Sequence, residues 1–428
     1  MPTGAATSRL SFLIARFRER LWVRPLALSV VSLAAAFLAS VADGTGLGRH
    51  VPTMTAESIE TLLTIMAASM MVIATLAVAS MVSAYATASA TATPRSVKLV
   101  IADDVTQNAL SAFIGAFIFS IVGLTAMKNN HYATAGLFTL FVLTVIVFAV
   151  VILTFVRWVD RIARLGRVGT TVESVEKAAG RALTRRKDSP TLCGVPVDVS
   201  RPVGESVFAT SVGYVQQIDI AALQTWAEKV EGRVVVAALP GTFATPGRPL
   251  AYASCGPDPR DSVDHERIRE AFMVGTDRVF DHDPRFGLVV LSEIANHALS
   301  PAVNDPGTAI DVIGRLVRLF VLWSDGAPKN SVAPRYDRVE VPEISVRDML
   351  DDAFTAIGRD GATMVEVAIR LQKGLRSLTQ IGNVEMRQAA LKHGRLALAR
   401  AESALDLPED LVAVREAAVL DAALAAEM

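Results

Sequence analysis

The chain is nearly without cysteine. Two occur in 428 residues, Cys193 and Cys255, far apart and with no CxxC spacing. That argues against a disulfide framework and against a zinc site. Net charge is almost absent too, −1 from 42 basic and 43 acidic residues. Nothing in that balance calls for a nucleic-acid partner. Common catalytic signatures are missing: there is no glycine-rich phosphate loop, and Ser300 has no G-x-S-x-G context.

The most informative absence is local. Four long stretches contain no Asp, Glu, Lys or Arg: residues 26–41, a run within 62–92, 109–127 and 133–156. A helix crossing a bilayer needs about 20 apolar residues. It is the reading that survives in hydrocarbon, because it satisfies its own backbone hydrogen bonds. Hydrophobic residues make up 51% of the chain, and the excess lies at the front. Residues 1–167 therefore read as a four-span membrane domain.

Basic residues set the orientation. Arg9, Arg16, Arg18, Arg20 and Arg24 precede the first span, and Arg157, Arg161, Arg164 and Arg167 follow the fourth. Among basic residues, the two external loops carry only Arg49 and Lys128. The positive-inside rule puts both termini in the cytoplasm, with the spans in contact with membrane lipids. With no ionisable side chain inside the spans, a proton-driven carrier is disfavoured. A pore lined by backbone and hydroxyls is not. Ala79, Ser83, Thr87 and Thr91 recur every four residues on one face of the second span, suited either to a pore lining or to close helix packing. Gly115 and Gly123 in the third span take the packing reading.

The composition changes near residue 168. Residues 168–190 read as a charged linker helix, closed by RRKDSP. Residues 191–256 are strand-like, with one helix at 220–229. GYVQQID and PGTFATPGRPL there look like the interlocked hairpins of a small hammerhead barrel. Lys229, its only lysine, is not at a hairpin tip, so a carrier role is set aside. Residues 257–428 read as a helical cytoplasmic domain, with 264–280 helical by the spacing of Ile268, Phe272 and Val279. The expected fold is an α-helical membrane domain joined to an α+β cytoplasmic domain, part barrel-like and part helical.

Two groups of polar residues stand out. Arg278 and Asp283 flank a turn and are spaced to pair. HALSPAVNDPGTAI, residues 297–310, is a corner between two helices. Pro301 ends the first; Asp305 caps the second and Pro306 opens it. Capping leaves Ser300 and Asn304 unexplained. His297, Ser300, Asn304, Asp305 and Thr308, with Arg278 and Asp283, are the ligand or interface candidates. Glu293 and His297 share a helix face and, with Asp305 and the run Asp281, His282 and Asp283, could form a metal site, but one His per helix makes a weak metal motif. No metal, cofactor or catalytic residue is expected.

Across residues 21–400 the order of TPRSVKLVIADDVTQNALSAFIGAFIFSIVGL, GYVQQID, LPGTFATPGRPL and ALSPAVNDPGTA resembles a bacterial family of predicted multi-pass membrane proteins, DUF2254. That resemblance implies four spans and a cytoplasmic domain, and no established reaction. The expected function is a homo-oligomeric channel or channel-like pore under control of its cytoplasmic domain. The alternative is a membrane-anchored sensor of a small ligand or ion, or a scaffold; an enzyme ranks third.

Overall fold

A computed structural model describes residues 23–45, 51–91, 93–101, 104–162, 168–198, 200, 204–256, 262–325 and 334–418. Arg9, Arg16, Arg18, Arg20, Arg49, Arg164 and Arg167, part of the orientation argument, lie outside the described residues. Contacts divide the chain into two compact units that part near residue 171, with Thr91–Ser96 grouped with the later one.

The N-terminal unit holds the four apolar helices, each long and apolar enough to span a membrane. They are α1 (Val23–Val41), α2 (Ala56–Thr91), α4 (Asp104–Lys128) and α5 (Thr134–Ile162). A short α3 (Pro94–Ile101) follows α2, with Pro94 at its first position, where the missing N–H costs nothing. In α4 56% of the apolar window is buried, against 17% in α1 and α5, so α4 is the central helix of the unit. Phe113 of α4 meets Trp158 of α5 edge-on, centroids 6.0 Å apart. A Cβ on Gly115 would stand 3.1 Å from Leu28 of α1, and one on Gly123 3.3 Å from Leu63 of α2. Both glycines therefore sit where helices approach closely, a common membrane packing device. Asp43, in the 3-10 turn Ala42–Thr45, accepts from the amides of Ala133 (2.8 Å) and Gly136 (2.7 Å) at the start of α5. A carboxylate there satisfies amides that have no partner within the helix.

The later unit begins with most of α6 (Val168–Asp188), the expected linker helix. Next come β1 (Gly194–Val195), β2 (Glu205–Phe208), β3 (Gly213–Ile218), α7 (Ile220–Lys229), β4 (Arg233–Val236), β5 (Phe243–Ala244), β6 (Pro249–Ser254), α8 (His265–Glu270) and β7 (Phe272–Gly275). The chain continues through α9 (Pro284–Leu299), α10 (Pro306–Ser324), β8 (Tyr336–Glu340), α11 (Val346–Asp360), α12 (Val365–Ile381), α13 (Val384–Ala404) and α14 (Pro408–Ala418).

The strands form a five-stranded mixed sheet, β1-β8-β4-β6-β2, and a three-stranded antiparallel sheet, β5-β3-β7. No closed barrel exists among the described residues, which corrects the hammerhead reading. GYVQQID forms β3 in the small sheet, while PGTFATPGRPL divides between β5 in that sheet and β6 in the large one. The two hairpin signals thus serve different sheets and do not interlock. Val207, Val215, Leu223, Trp226, Val234 and Leu250 share one core between these sheets and α7.

The helix expected over 264–280 is also corrected. Only His265–Glu270 is helical; Phe272–Gly275 is a strand, paired Ile218↔Phe272 and Val215↔Val274 with β3. A partner distant in sequence decides this segment against its helical spacing. The helical part packs α9 on α10 and α11, and α10 on α12. Phe320 of α10 stacks on Phe354 of α11 at 5.6 Å.

Candidate functional site

The last turn of α6 carries Arg185, Arg186 and Lys187, cations favoured at a helix C-terminus. Their fates differ. Arg185 donates to the carbonyl of Asp281 (2.7 Å), and Lys187 donates to the carbonyls of Leu322 (3.0 Å) and Asp325. Arg186 turns inward and is only 4% exposed. Its Nη2 donates to the Pro342 carbonyl (3.1 Å), and its Nε is buried with no partner. No carboxylate forms an ion pair with it among the described residues. Burial pulls its pKa down to about 10, and exposed Glu343 opposes that from a distance.

Arg186 lines a cavity of about 350 Å³. The cavity gathers the β4–β5 turn at Pro240, Gly241 and Thr242, the segment Arg278–Arg285 entering α9, and the segment Pro342–Ser345 entering α11. Asp283 caps α9, accepting from the amides of Arg285 (3.2 Å) and Phe286 (3.1 Å). Arg278 grips the same carboxylate through Nε (2.6 Å) and Nη2 (3.0 Å). Burial pushes the Asp283 carboxyl up from its ordinary value, and Arg278 and the two amides pull it back. The Arg278 guanidinium also lies 5.2 Å from the centre of the Phe286 ring. Arg285 pairs with Asp352 (2.6 Å) and Asp348 (2.9 Å). Ser345 caps α11, accepting from the amide of Asp348.

These pairings leave an imbalance of charge. Asp283 is matched by Arg278, and Asp348 by Arg285. Arg186 and Arg248 remain, facing only Glu343 among the carboxylates of the lining. Arg248 is exposed and its side chain makes no ion pair with a described residue. His282 adds no charge at neutral pH: burial lowers its pKa, Arg185 lowers it further, and Asp281 raises it less. The cavity is therefore a cationic recess able to hold an anion. A second cavity, of about 590 Å³, shares Pro240 and His282 with it.

The sequence candidates do not converge on one place. Arg278 and Asp283 belong to the cavity, at the start of α9. The other five stand at its far end, and α9 is 16 residues long, about 24 Å at the helical rise. There Ser300 ends α9 in an extended conformation, its hydroxyl donating to the His297 carbonyl (2.7 Å). Asn304 has φ 50°, the left-handed region that Asn tolerates better than most residues. Its amide donates to the Ser300 carbonyl (2.9 Å), and that of Asp305 to the Ala298 carbonyl (2.8 Å). Asp305 caps α10, accepting from the Thr308 amide (3.0 Å) and hydroxyl (2.6 Å). Those bonds, the hydroxyl first, hold its pKa below the usual value. Turn geometry thus accounts for Ser300 and Asn304, the two positions capping alone left open. No group of three or more His, Cys, Asp or Glu suited to a metal occurs among the described residues.

In α2, Ala79, Ser83 and Thr87 are exposed, so the described residues leave this face uncovered. Thr87 turns its hydroxyl to the Ser83 carbonyl (3.0 Å). Thr91 ends the helix, and its side chain lies outside what is described.

Sequence reasoning missed Arg186, Arg248, Arg285 and Gly241. Only the PG step at Pro240–Gly241 signalled a turn. Nothing in RRKD separates the buried arginine from its solvated neighbours.

A family model described as "Predicted membrane protein (DUF2254)" matches residues 18–377, and the chain belongs to that family. Uncharacterized proteins of Mycobacterium tuberculosis (strain CDC 1551 / Oshkosh) and Mycobacterium bovis (strain ATCC BAA-935 / AF2122/97) are each 31% identical over 113 residues. That match covers 26% of this chain and 22% of each relative, so the chain spans about a fifth of the length of these curated relatives. No solved structure matches it.

Proposed function

We propose that this member of the family is a membrane-anchored sensor, its later unit on the cytoplasmic side of a bacterial inner membrane binding a small anion in the arginine-lined cavity. One observation carries the reading: Arg186 is buried at the cavity wall, and no described carboxylate forms an ion pair with it, Glu343 acting only from a distance. An isolated buried charge is costly, and buried charges in proteins are normally paired. An anionic ligand would complete the pair. This favours binding over catalysis, and it ranks sensing above the pore that the apolar spans suggest first.

The test is titration calorimetry on the full chain in detergent, with inorganic phosphate and sulfate. Saturable binding that Arg186→Met abolishes is the expected result. No saturable binding of either anion would overturn the reading.

A second reading, the homo-oligomeric pore, draws support from the uncovered face at Ala79, Ser83 and Thr87. Small residues on one side of a span suit close approach of a second copy. Light scattering of the purified protein, followed by ion-flux assays in liposomes, tests it. A monomer, or an oligomer without flux, would defeat the pore.

A further inference from the structure

The second cavity extends the first past His282 and Pro240. Its lining differs in kind. Leu192, Ile218, Ile220 and Ala221 are apolar, and Tyr336 adds an aromatic ring. The polar groups there are mostly committed. Asp219 accepts from the amide of Ala222 at the start of α7 (3.0 Å), and Ser189 and Cys193 hydrogen-bond each other (3.3 Å). Arg335 lies over the Tyr336 ring, 5.6 Å from its centre, and Gln217 is uncommitted: its Oε1 is buried with no donor among the described residues. A buried acceptor left unmatched is costly, so an N–H supplied by a ligand would be favoured.

The backbone beside this recess is strained. Leu192 (φ 53°) and Cys193 (φ 65°) are consecutive left-handed residues with side chains. The Cys193 carbonyl accepts from the amides of Arg335 (2.9 Å) and Tyr336 (3.0 Å), which holds the kink in place. Strain of this kind tends to cluster at binding sites.

One recess is cationic, with two guanidinium groups in no ion pair among the described residues; the adjoining one is mostly apolar, with an unmatched acceptor and an aromatic ring under the Arg335 guanidinium. Resting on the sensor reading above, we propose that the ligand is a nucleoside monophosphate. Its phosphate takes Arg186 and Arg248, and its base enters the second cavity with an N–H donated to Gln217.

The experiment uses the full chain in detergent, titrated with AMP, GMP, CMP, UMP and inorganic phosphate. At least one nucleotide is expected to bind about tenfold or more tightly than phosphate, the worth of one well-made polar contact to a buried group. Gln217→Leu should remove that advantage and leave phosphate affinity unchanged. Gln217→Glu, which keeps an acceptor, should retain most of it. Arg186→Met should abolish binding of nucleotide and phosphate alike. In the NMR spectrum of ¹⁵N-histidine-labelled protein, the nucleotide should raise the pKa of His282, since a dianion arrives beside it; His282→Asn assigns the signal.

If no nucleotide binds more tightly than phosphate, or if Gln217→Leu leaves nucleotide affinity unchanged, the inference falls while the sensor reading stands. If no nucleotide, phosphate or sulfate binds, both fall.

Discussion

Gly241 lies directly against the carboxylate of Asp283, with φ 92°. A Cβ at this position would overlap both carboxylate oxygens. The glycine therefore lets the β4–β5 turn close over the Asp283–Arg278 pair. Gly241→Ala has two costs, a left-handed conformation for an L side chain and displacement of a buried ion pair. It should lower stability by about 2–4 kcal/mol. Gly247→Ala, in the following β5–β6 connection and with only Thr245 Oγ1 at 4.0 Å from its Cβ position, should be close to neutral. Thermal denaturation of both variants checks the contrast; equal melting temperatures would refute it.

Removal of the buried cation should behave unlike most core substitutions. Replacing Arg186 with Met keeps the length of the side chain and removes an unpaired charge, at the loss of one hydrogen bond to Pro342. In buffer free of phosphate and sulfate, Arg186→Met is expected to melt at or above the wild-type temperature. Added phosphate should raise the wild-type melting point and leave the variant's unchanged. A loss of more than about 2 kcal/mol in the variant would mean that the guanidinium is already compensated in the free protein.

Glu176 ties α6 to α10 by accepting from Arg315 (2.6 Å) and Arg318 (2.8 Å). Burial raises its pKa, but the two arginines outweigh burial and bring it below the ordinary 4.5. The unfolded chain then binds more protons than the folded one as pH falls through that range. The contribution of Glu176 is thus fully present above about pH 4.5 and is lost as pH drops through the lowered folded value. Glu176→Gln should cost about 1–2 kcal/mol at pH 7, discounted because Arg318 is largely exposed. Once the pH falls below the lowered folded value, the variant and wild type should converge. Denaturant titrations at pH 7, 5 and 3 measure this, and a gap that does not shrink in acid would count against it.

At the corner, Asn304→Gly should stay within about 0.5 kcal/mol of wild type, while Asn304→Ala should lose about 1 kcal/mol, because φ 50° penalises a plain Cβ. Anion binding at the opposite end of α9 should be unaffected by either. Reduced phosphate affinity in Asn304→Gly would show that the corner and the cavity are coupled.

Elements governed by neighbouring residues were legible in the sequence. The four spans follow from uninterrupted apolar runs, and the α9–α10 corner follows from Pro301, Asp305 and Pro306. Elements that depend on distant partners were not. Phe272–Gly275 carries helical spacing yet pairs with β3. Strand β8 has no strong signal of its own and is held between β1 and β4. The cavity was the least legible feature. Arg186 reads as one of three solvated cations, and it is buried because Pro342, 156 residues later, folds over it. Of the site, only the Arg278–Asp283 pair was visible, since its members stand five positions apart.

The unpaired cation has a consequence for the life of the protein in the cell. On the proposed sensor reading, a site whose empty form bears an uncompensated charge makes the ligand a cofolding agent as well as a signal. By mass action, occupied molecules spend less time unfolded than empty ones and offer less to proteases. The number of copies in the membrane would then rise and fall with the ligand supply, and the proposed sensor would report scarcity partly by its own disappearance.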